Sequence, residues 1–484
     1  MKSLKLSLTL ALLGASTLFA GGITTNTNQS THFQRSVARD ATTDIDAVTS
    51  NPAGTAFMKP GLHVGLHNQT FFQTRSVDSD LPLYNDGKGK KFEAETFVPT
   101  MPSVLLAWVR GNFALSGAFT IAGGGGGANF EDGIPSFESG IAALAAGLNG
   151  QGVKSYSADI GVEGTSYIFG LTAGASWRFI PELSVYLGAR FNYSLNGYEG
   201  HLKDVMFNLQ DGQKIAAQVF LSQASAQAAD GAEKATAAAK QYAAAGDAEN
   251  AAKYEATATE LSATSQKLAG YAQSVSDKEL DVSQSGFGVT PIVGLSFQKG
   301  AWTVAAKYEH NTSIEMENDT KKNEVGLPAY DDGVKDNSDM PGLLAFGVRW
   351  DAVPVLHLSL GYHHYFDSQA DYAGNKEDYL DDSNEYLAGV EWDVTPRWTV
   401  GLGGQYTDFG VSDEYLSDLS ISLSSWSLGC GVAFRATDMV RVSASYFMTV
   451  YDDWTEESTL GTIKYKDTYG RTSYGFGVGV DLDI

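Results

Sequence analysis

Arg190 and Lys307 each sit near the middle of a segment that alternates in character residue by residue. Around Arg190, Val185, Leu187, Ala189, Phe191 and Tyr193 are interleaved with Ser184, Tyr186, Gly188, Asn192 and Ser194. Successive side chains of a β-strand point to opposite faces. If the apolar face meets lipid, both cations point the other way, into a lumen. A cation shielded from water makes a strong charge-assisted hydrogen bond to a carboxylate. The chemistry available to this pair is therefore to hold the charged head of an amphiphile whose tail lies in an apolar channel. The competing use is pairing with an acid such as Asp40, Asp44 or Asp46. Arg349, Arg178 and Arg435 share the inward phase but lie at the ends of their segments, near a rim. Other chemistry is weakly signalled. His363 and His364 are adjacent, so a strand would send them to opposite faces, and His357 stands apart. The single Cys430 fits neither a disulfide framework nor a zinc cluster. With no nucleophile motif either, the sequence reads as a non-enzyme with no metal and no cofactor.

The elements that must position these residues are strands. Period-two alternation recurs at 61–72, 102–110, 112–121, 167–178, 184–194, 286–298, 301–314, 342–351, 354–367, 385–394, 397–409, 423–435, 439–451 and 473–484. That predicts about fourteen strands, an even number as single-chain bacterial barrels have. The connections alternate short (Arg110 to Asn112, Ile180 to Glu182, Lys299 to Gly300) and long (Ser76 to Phe97, Ala122 to Ile160, Ser313 to Met340, Gln369 to Asn384). Short periplasmic turns and long outer loops are the usual asymmetry, and they predict both termini on the periplasmic side. The expected fold is an all-β, antiparallel transmembrane barrel occupying 61–484. The composition agrees: 53 Gly, 24 Phe, 23 Tyr and 8 Trp accompany a mean hydropathy of only −0.16, as lipid-facing and lumen-facing residues average out. A net charge of −24 argues against nucleic acid as a partner.

Three segments stand outside the wall. Residues 1–20 carry Lys2 and Lys5, an apolar run from Leu6 to Phe19 and a small-residue site at Ala20, the pattern of a removable export signal. Residues 21–60 are small, polar and charged, centred on Asn51-Pro52-Ala53-Gly54, and read as a plug inside the barrel. Residues 201–280 are rich in Ala, Gln, Lys and Glu and predict two helices meeting near Ala245-Gly246-Asp247, on the outer side. Ile215, Val219, Phe220, Leu261, Leu268 and Tyr271 give this insertion apolar positions on which an amphipathic substrate could be captured.

The plug with Asn51-Pro52-Ala53-Gly54, then Val98-Pro99-Thr100-Met101-Pro102 entering a hairpin, about fourteen strands, and a helical insertion between the fifth and sixth together resemble the outer-membrane long-chain fatty-acid transporter family, the FadL-like proteins. The resemblance implies a monomeric bacterial outer-membrane barrel that takes up a hydrophobic ligand, a long-chain fatty acid, passively. It implies a hatch at Asn51, Pro52, Ala53 and Gly54 that shifts, and lateral exit into the membrane through a kink in the third strand. In this chain Gly123, Gly124, Gly125, Gly126 and Gly127 mark the position, since five glycines cannot fill a lipid-facing surface. The alternatives are a channel for aromatic hydrocarbons, a barrel that anchors a surface-binding or adhesion insertion, and an open porin, against which a plugged lumen argues.

Overall fold

The computed structural model describes residues 22–484; the expected export signal lies outside them. One antiparallel sheet closes into a barrel of fourteen wall strands. They are β1 (Gly61–Ser79), β2 (Lys90–Arg110), β3 (Phe113–Phe130), β4 (Val153–Ile180), β5 (Leu183–Leu209) and β6 (Lys278–Lys299). Then come β7 (Trp302–Glu309, continued by Glu315–Asn323), β8 (Lys335–Asn337 leading into Leu343–Val353), β9 (Leu356–Tyr365) and β10 (Ser383–Thr395). The last are β11 (Trp398–Asp408), β12 (Ser425–Arg435), β13 (Val440–Tyr451, continued by Trp454–Leu460) and β14 (Ile463–Asp483). Pairing of β1 with β14, from His63 opposite Asp483 to Ser79 opposite Asp467, closes the ring. No helix among the described residues is long and apolar enough to cross a membrane.

The lipid face is legible in what is exposed. Leu187, Phe287 and Leu360 are 70%, 68% and 64% exposed, which only a hydrocarbon surrounding makes favourable. Trp108, Trp177, Trp302, Trp350, Trp392 and Trp398 ring the end with the short turns. At the other end Phe72 stacks on Phe97 and on Tyr474, each with ring centroids 5.0 Å apart. The two aromatic belts bracket about ten residues of strand, the length that crosses a bilayer.

Beyond the outer belt the strands continue, and there the structure departs from the sequence expectation. The segment Ser76 to Phe97, expected as a loop, is strand up to Ser79 and again from Lys90. In this extension the polarity inverts. Val77, Phe92 and Ala94 face the lumen and are buried, while Asp78, Lys91, Glu93 and Glu95 face out into water. The same applies to Ala122 to Ile160, of which only the part around helix α3 (Pro135–Gly147) leaves the wall, with α1 (Thr31–Ser36) and α2 (Ala47–Ser50) in the plug. The insertion expected over 201–280 is helical only over α4 (Ala217–Ala244) and α5 (Ala248–Ser274), because β5 runs on to Leu209 and β6 begins at Lys278. Asp247 caps α5 by accepting from the Asn250 N–H at 3.1 Å, and Ser225 and Ser265 hydrogen-bond across the helix pair. At 1.5 Å per residue each helix is about 40 Å long.

Candidate functional site: hatch, wall gap and outer groove

Residues 22–60 fill the lumen, and most of their side chains are buried although most are polar. Burial of so many polar groups is tolerable only if most are paired, and the buried charged ones are held by wall or plug partners. Arg35 donates to Glu391 of β10 through Nε at 3.1 Å and Nη2 at 2.5 Å. Arg39 donates to the other oxygen of Glu391 at 2.6 Å and to Asp46 at 2.7 Å and Asp44 at 2.9 Å. Arg441 of β13 closes on Asp481 of β14 at 3.0 Å and on Asp44 at 3.5 Å. His363 of β9 sits between Asp40 of the plug, at 2.8 Å, and Glu385 of β10, at 2.7 Å. His32, His67 and Asp481 also converge, but the Asp481 oxygen that meets His32 accepts from Arg441 as well, which makes the trio a clamp between plug and wall. Glycines let the plug approach this side of the wall. A Cβ at Gly389 would overlap the Ser36 carbonyl oxygen.

Asn51-Pro52-Ala53-Gly54 docks against the opposite wall. Asn51 caps the 3₁₀ turn Pro52–Phe57 by accepting from the Gly54 N–H at 3.2 Å, and Pro52 stands where a donor would be unsatisfied. The Asn51 amide donates to Thr42 O at 2.9 Å and Ser296 Oγ at 3.2 Å. Ser176 of β4 donates to Pro52 O at 2.7 Å and Ser184 of β5 to Ala53 O at 2.6 Å. The tetrapeptide is thus pinned by wall hydroxyls, each neutral and individually weak, whereas the far side is held by ion pairs.

The two cations singled out from strand phase do face the lumen, but both are already paired. Arg190 and Lys307 each meet Glu309 at 2.7 Å, and Lys307 also donates to Thr49 O of the plug at 2.8 Å. The acid comes from their own wall rather than from Asp40, Asp44 or Asp46. They border a cavity of about 40 Å³, shared with Asn26, Asp40 and His363, large enough for water and not for an acyl chain. Glu309 and Glu391 were missed in the sequence; their inward strand phase was the signal.

The glycine run lies where the wall ladder is interrupted. β2 and β3 pair only from Val104 opposite Phe119 down to Arg110 opposite Phe113. Above that point β2 pairs with β1 and β3 with β4, with bulges in β3 between Ile121 and Gly123 and between Gly124 and Gly126. Gly124 and Gly125 have φ of +62° and +112°, conformations that side chains disfavour. Pro99 and Pro102 in the facing stretch of β2 lack the N–H groups a ladder needs. The gap is filled by side chains: Phe71, Val98, Met101 and Ile121 form one apolar cluster, with Tyr167 and Phe169 against it on the outside. From inside, the N-terminal arm of the plug backs it. Asn26 N donates to Ala122 O at 2.9 Å, Gly124 N to Thr24 O at 3.3 Å, and the Asn26 and Gln29 amides to Ile121 O at 3.2 Å.

On the outer side, α3, α5 and the β13–β14 tip enclose an apolar groove of about 560 Å³ lined by Leu83, Ile141, Leu144, Leu268, Tyr271 and Ile463, with Lys267 at its edge. Of the insertion's candidate residues, Leu268 and Tyr271 line it. Ile215 and Phe220 pack into the neighbouring core, Leu261 faces Gly231 across the helix pair, and Val219 is exposed.

The closed fourteen-stranded antiparallel barrel matches the FadL-like fold. The structure is similar to the crystal structure of a Pseudomonas aeruginosa FadL homologue, with a TM-score of 0.59 at 13% identity over 96% of this chain and 100% of that one. It is also similar to the Pseudomonas putida toluene transporter TodX, with a TM-score of 0.54 at 11% identity over 91% of this chain and 94% of that one. At such identities the likeness is one of fold. The solved structures it resembles are channels and transporters, not enzymes. No family model matches the sequence, and no curated protein matches it either.

Proposed function

We propose that this chain is a bacterial outer-membrane channel for passive uptake of hydrophobic small molecules, long-chain fatty acids foremost, acting as a monomer with both termini periplasmic. A ligand enters from the outer groove, passes the apolar lumen above the hatch, and leaves sideways between β2 and β3. The observation that carries this reading is the wall gap, which is closed by side chains and the plug arm, with the Thr96 hydroxyl donating to Gly127 O across it, and not by a β2–β3 backbone ladder. Opening it needs Met101, Val98 and Ile121 to change rotamer and the arm at Thr24–Asn26 to withdraw, without breaking a continuous ladder. The hatch at Asn51–Gly54, held by neutral hydrogen bonds, is the part of the plug that can shift, and the Arg35–Arg39–Glu391 side stays in place. A channel for aromatic hydrocarbons is the second reading, supported by the likeness to a toluene transporter.

The test combines mass spectrometry of lipids extracted from the purified barrel with oleate and toluene uptake by cells expressing wild type or Ile121→Trp. Co-purified fatty acid, and oleate uptake several-fold lower in a variant whose barrel still shows heat-dependent electrophoretic mobility, is the expected result. Toluene uptake without oleate uptake would move the assignment to the second reading. Unaltered uptake by a folded Ile121→Trp barrel would remove lateral exit from the mechanism.

A further inference from the structure

The connection from β11 to β12 dips into the mouth of the barrel. Loops ordinarily run over a surface, where water satisfies their backbone groups. Here Asp418, Leu419, Ser420, Ile421, Ser422 and Leu423, six residues in a row, are each at most 6% exposed, and none belongs to a helix or a strand. Leu419, Ile421 and Leu423 enter the apolar cluster of the outer lumen beside Val77, Phe92 and Tyr469 of the wall, with Leu416 packed against it. The polar side of the fit is poor. Ser412 Oγ and Ser417 Oγ are buried without a partner among the described residues, and Arg471 of β14, which stands opposite Arg75 of β1, reaches the Ile421 carbonyl only at 3.4 Å. A segment whose buried polar groups are unmet gives up little on leaving, because water satisfies those groups outside.

A short bond ties this loop to the outer groove. Asp418 Oδ2 accepts from the Ser136 N–H at 2.8 Å, in the first turn of α3, and the same helix carries Ile141 and Leu144 into the groove lining. Leu83, Leu460 and Ile463 line the groove and also pack against the lumenal cluster, so the groove abuts the space that the loop fills. We infer that residues 416–423 are a built-in occupant of the outer lumen, holding the apolar path inward from the groove until an arriving ligand chain displaces Leu416, Leu419, Ile421 and Leu423. Exchange of one apolar chain for another keeps apolar surface out of water, so the displacement gives up little burial. A chain wedged beside Ile141 and Leu144 pushes on α3 and thereby loads the Ser136–Asp418 bond. This gate rests on the channel reading above and adds to it an outer closure that opens by competition.

The test uses the full barrel, in maltoside detergent and in cells, with oleate as the probe. Hydrogen exchange read by mass spectrometry is expected to show peptides covering 416–423 exchanging several-fold faster when oleate is present, as the loop leaves the lumen. A second arm ties the loop down with Ser136→Cys and Asp418→Cys in a Cys430→Ser background. With the crosslink confirmed by mass and the barrel by its heat-dependent mobility, the oxidised form is expected to take up oleate several-fold more slowly than the same protein after reduction. Exchange at 416–423 that is unchanged or slowed by oleate, or equal uptake by the oxidised and reduced forms, overturns the gate. The channel reading then stands, because Ile121→Trp tests it at the far end of the path. Failure of wild type both to bind and to take up oleate overturns the two together.

Discussion

Asp367, just beyond β9 on the outer side, is a carboxylate held in a place that favours its proton. It is fully buried, Oδ1 has no partner among the described residues, and Oδ2 accepts a long bond from Ser383 N at 3.3 Å. Burial first, and Asp382 nearby, push it up to about 7. The unfolded group titrates near 4. A raised folded value means that the favourable contribution is complete below the unfolded value and is lost as pH rises through about 7. The Ser383 amide and its neighbours should therefore be better protected from hydrogen exchange at pH 5.5 than at pH 8. Asp367→Asn, permanently neutral, is expected to keep the protected behaviour at both. Protection that does not vary with pH in wild type would show that Asp367 is not buried in this way.

At the scale of elements, the plug is held asymmetrically. Toward β9, β10, β13 and β14 it is fastened by buried ion pairs, the removal of one partner of which costs about 3–5 kcal/mol. Toward β4, β5 and β6 it is held by the Asn51 cap and serine hydrogen bonds, worth about 1 kcal/mol each. A plug that moves should move on the weaker side. Asn51→Ala with Pro52→Ala is expected to loosen the hatch by about 1–3 kcal/mol and lower transport, while the barrel, whose ladder does not involve these residues, assembles normally. Uptake assays alongside urea unfolding of the purified barrel would separate the two effects. Normal uptake by the assembled double variant would take the hatch out of the mechanism.

For the molecule as a whole, the α4–α5 pair is the largest departure from a plain barrel. The helices pack on one another, and α5 lends Leu268 and Tyr271 to the outer groove. Deletion of 217–274 is expected to leave the ring closed, since β1–β14 pairing is remote from it, and to reduce oleate uptake several-fold at low concentration while a saturating dose restores it. Unchanged uptake with lost surface binding would favour the barrel as an anchor for an adhesive hairpin.

The sequence by itself determined the fourteen wall strands, their order and their lipid face, because within the bilayer one physical rule, apolar outward, is imposed on every second residue. It also determined that the cations at Arg190 and Lys307 point inward. Two kinds of feature needed the tertiary structure. Outside the bilayer the rule reverses, so the extensions that carry Val77, Phe92 and Arg75 look like loops until the pairing with β14 and β2 is known. Which charge meets which is a matter of neighbours across the ring. Strand phase cannot reveal that Glu309 satisfies Arg190 and Lys307, that Glu391 holds Arg35 and Arg39, or that Arg75 faces Arg471 with no acid between them. Lys307 and Glu309 are neighbours on one face of β7, but Arg35 and Arg39 lie more than three hundred residues from Glu391, and only closure of the barrel around its plug brings those partners within a hydrogen bond of one another.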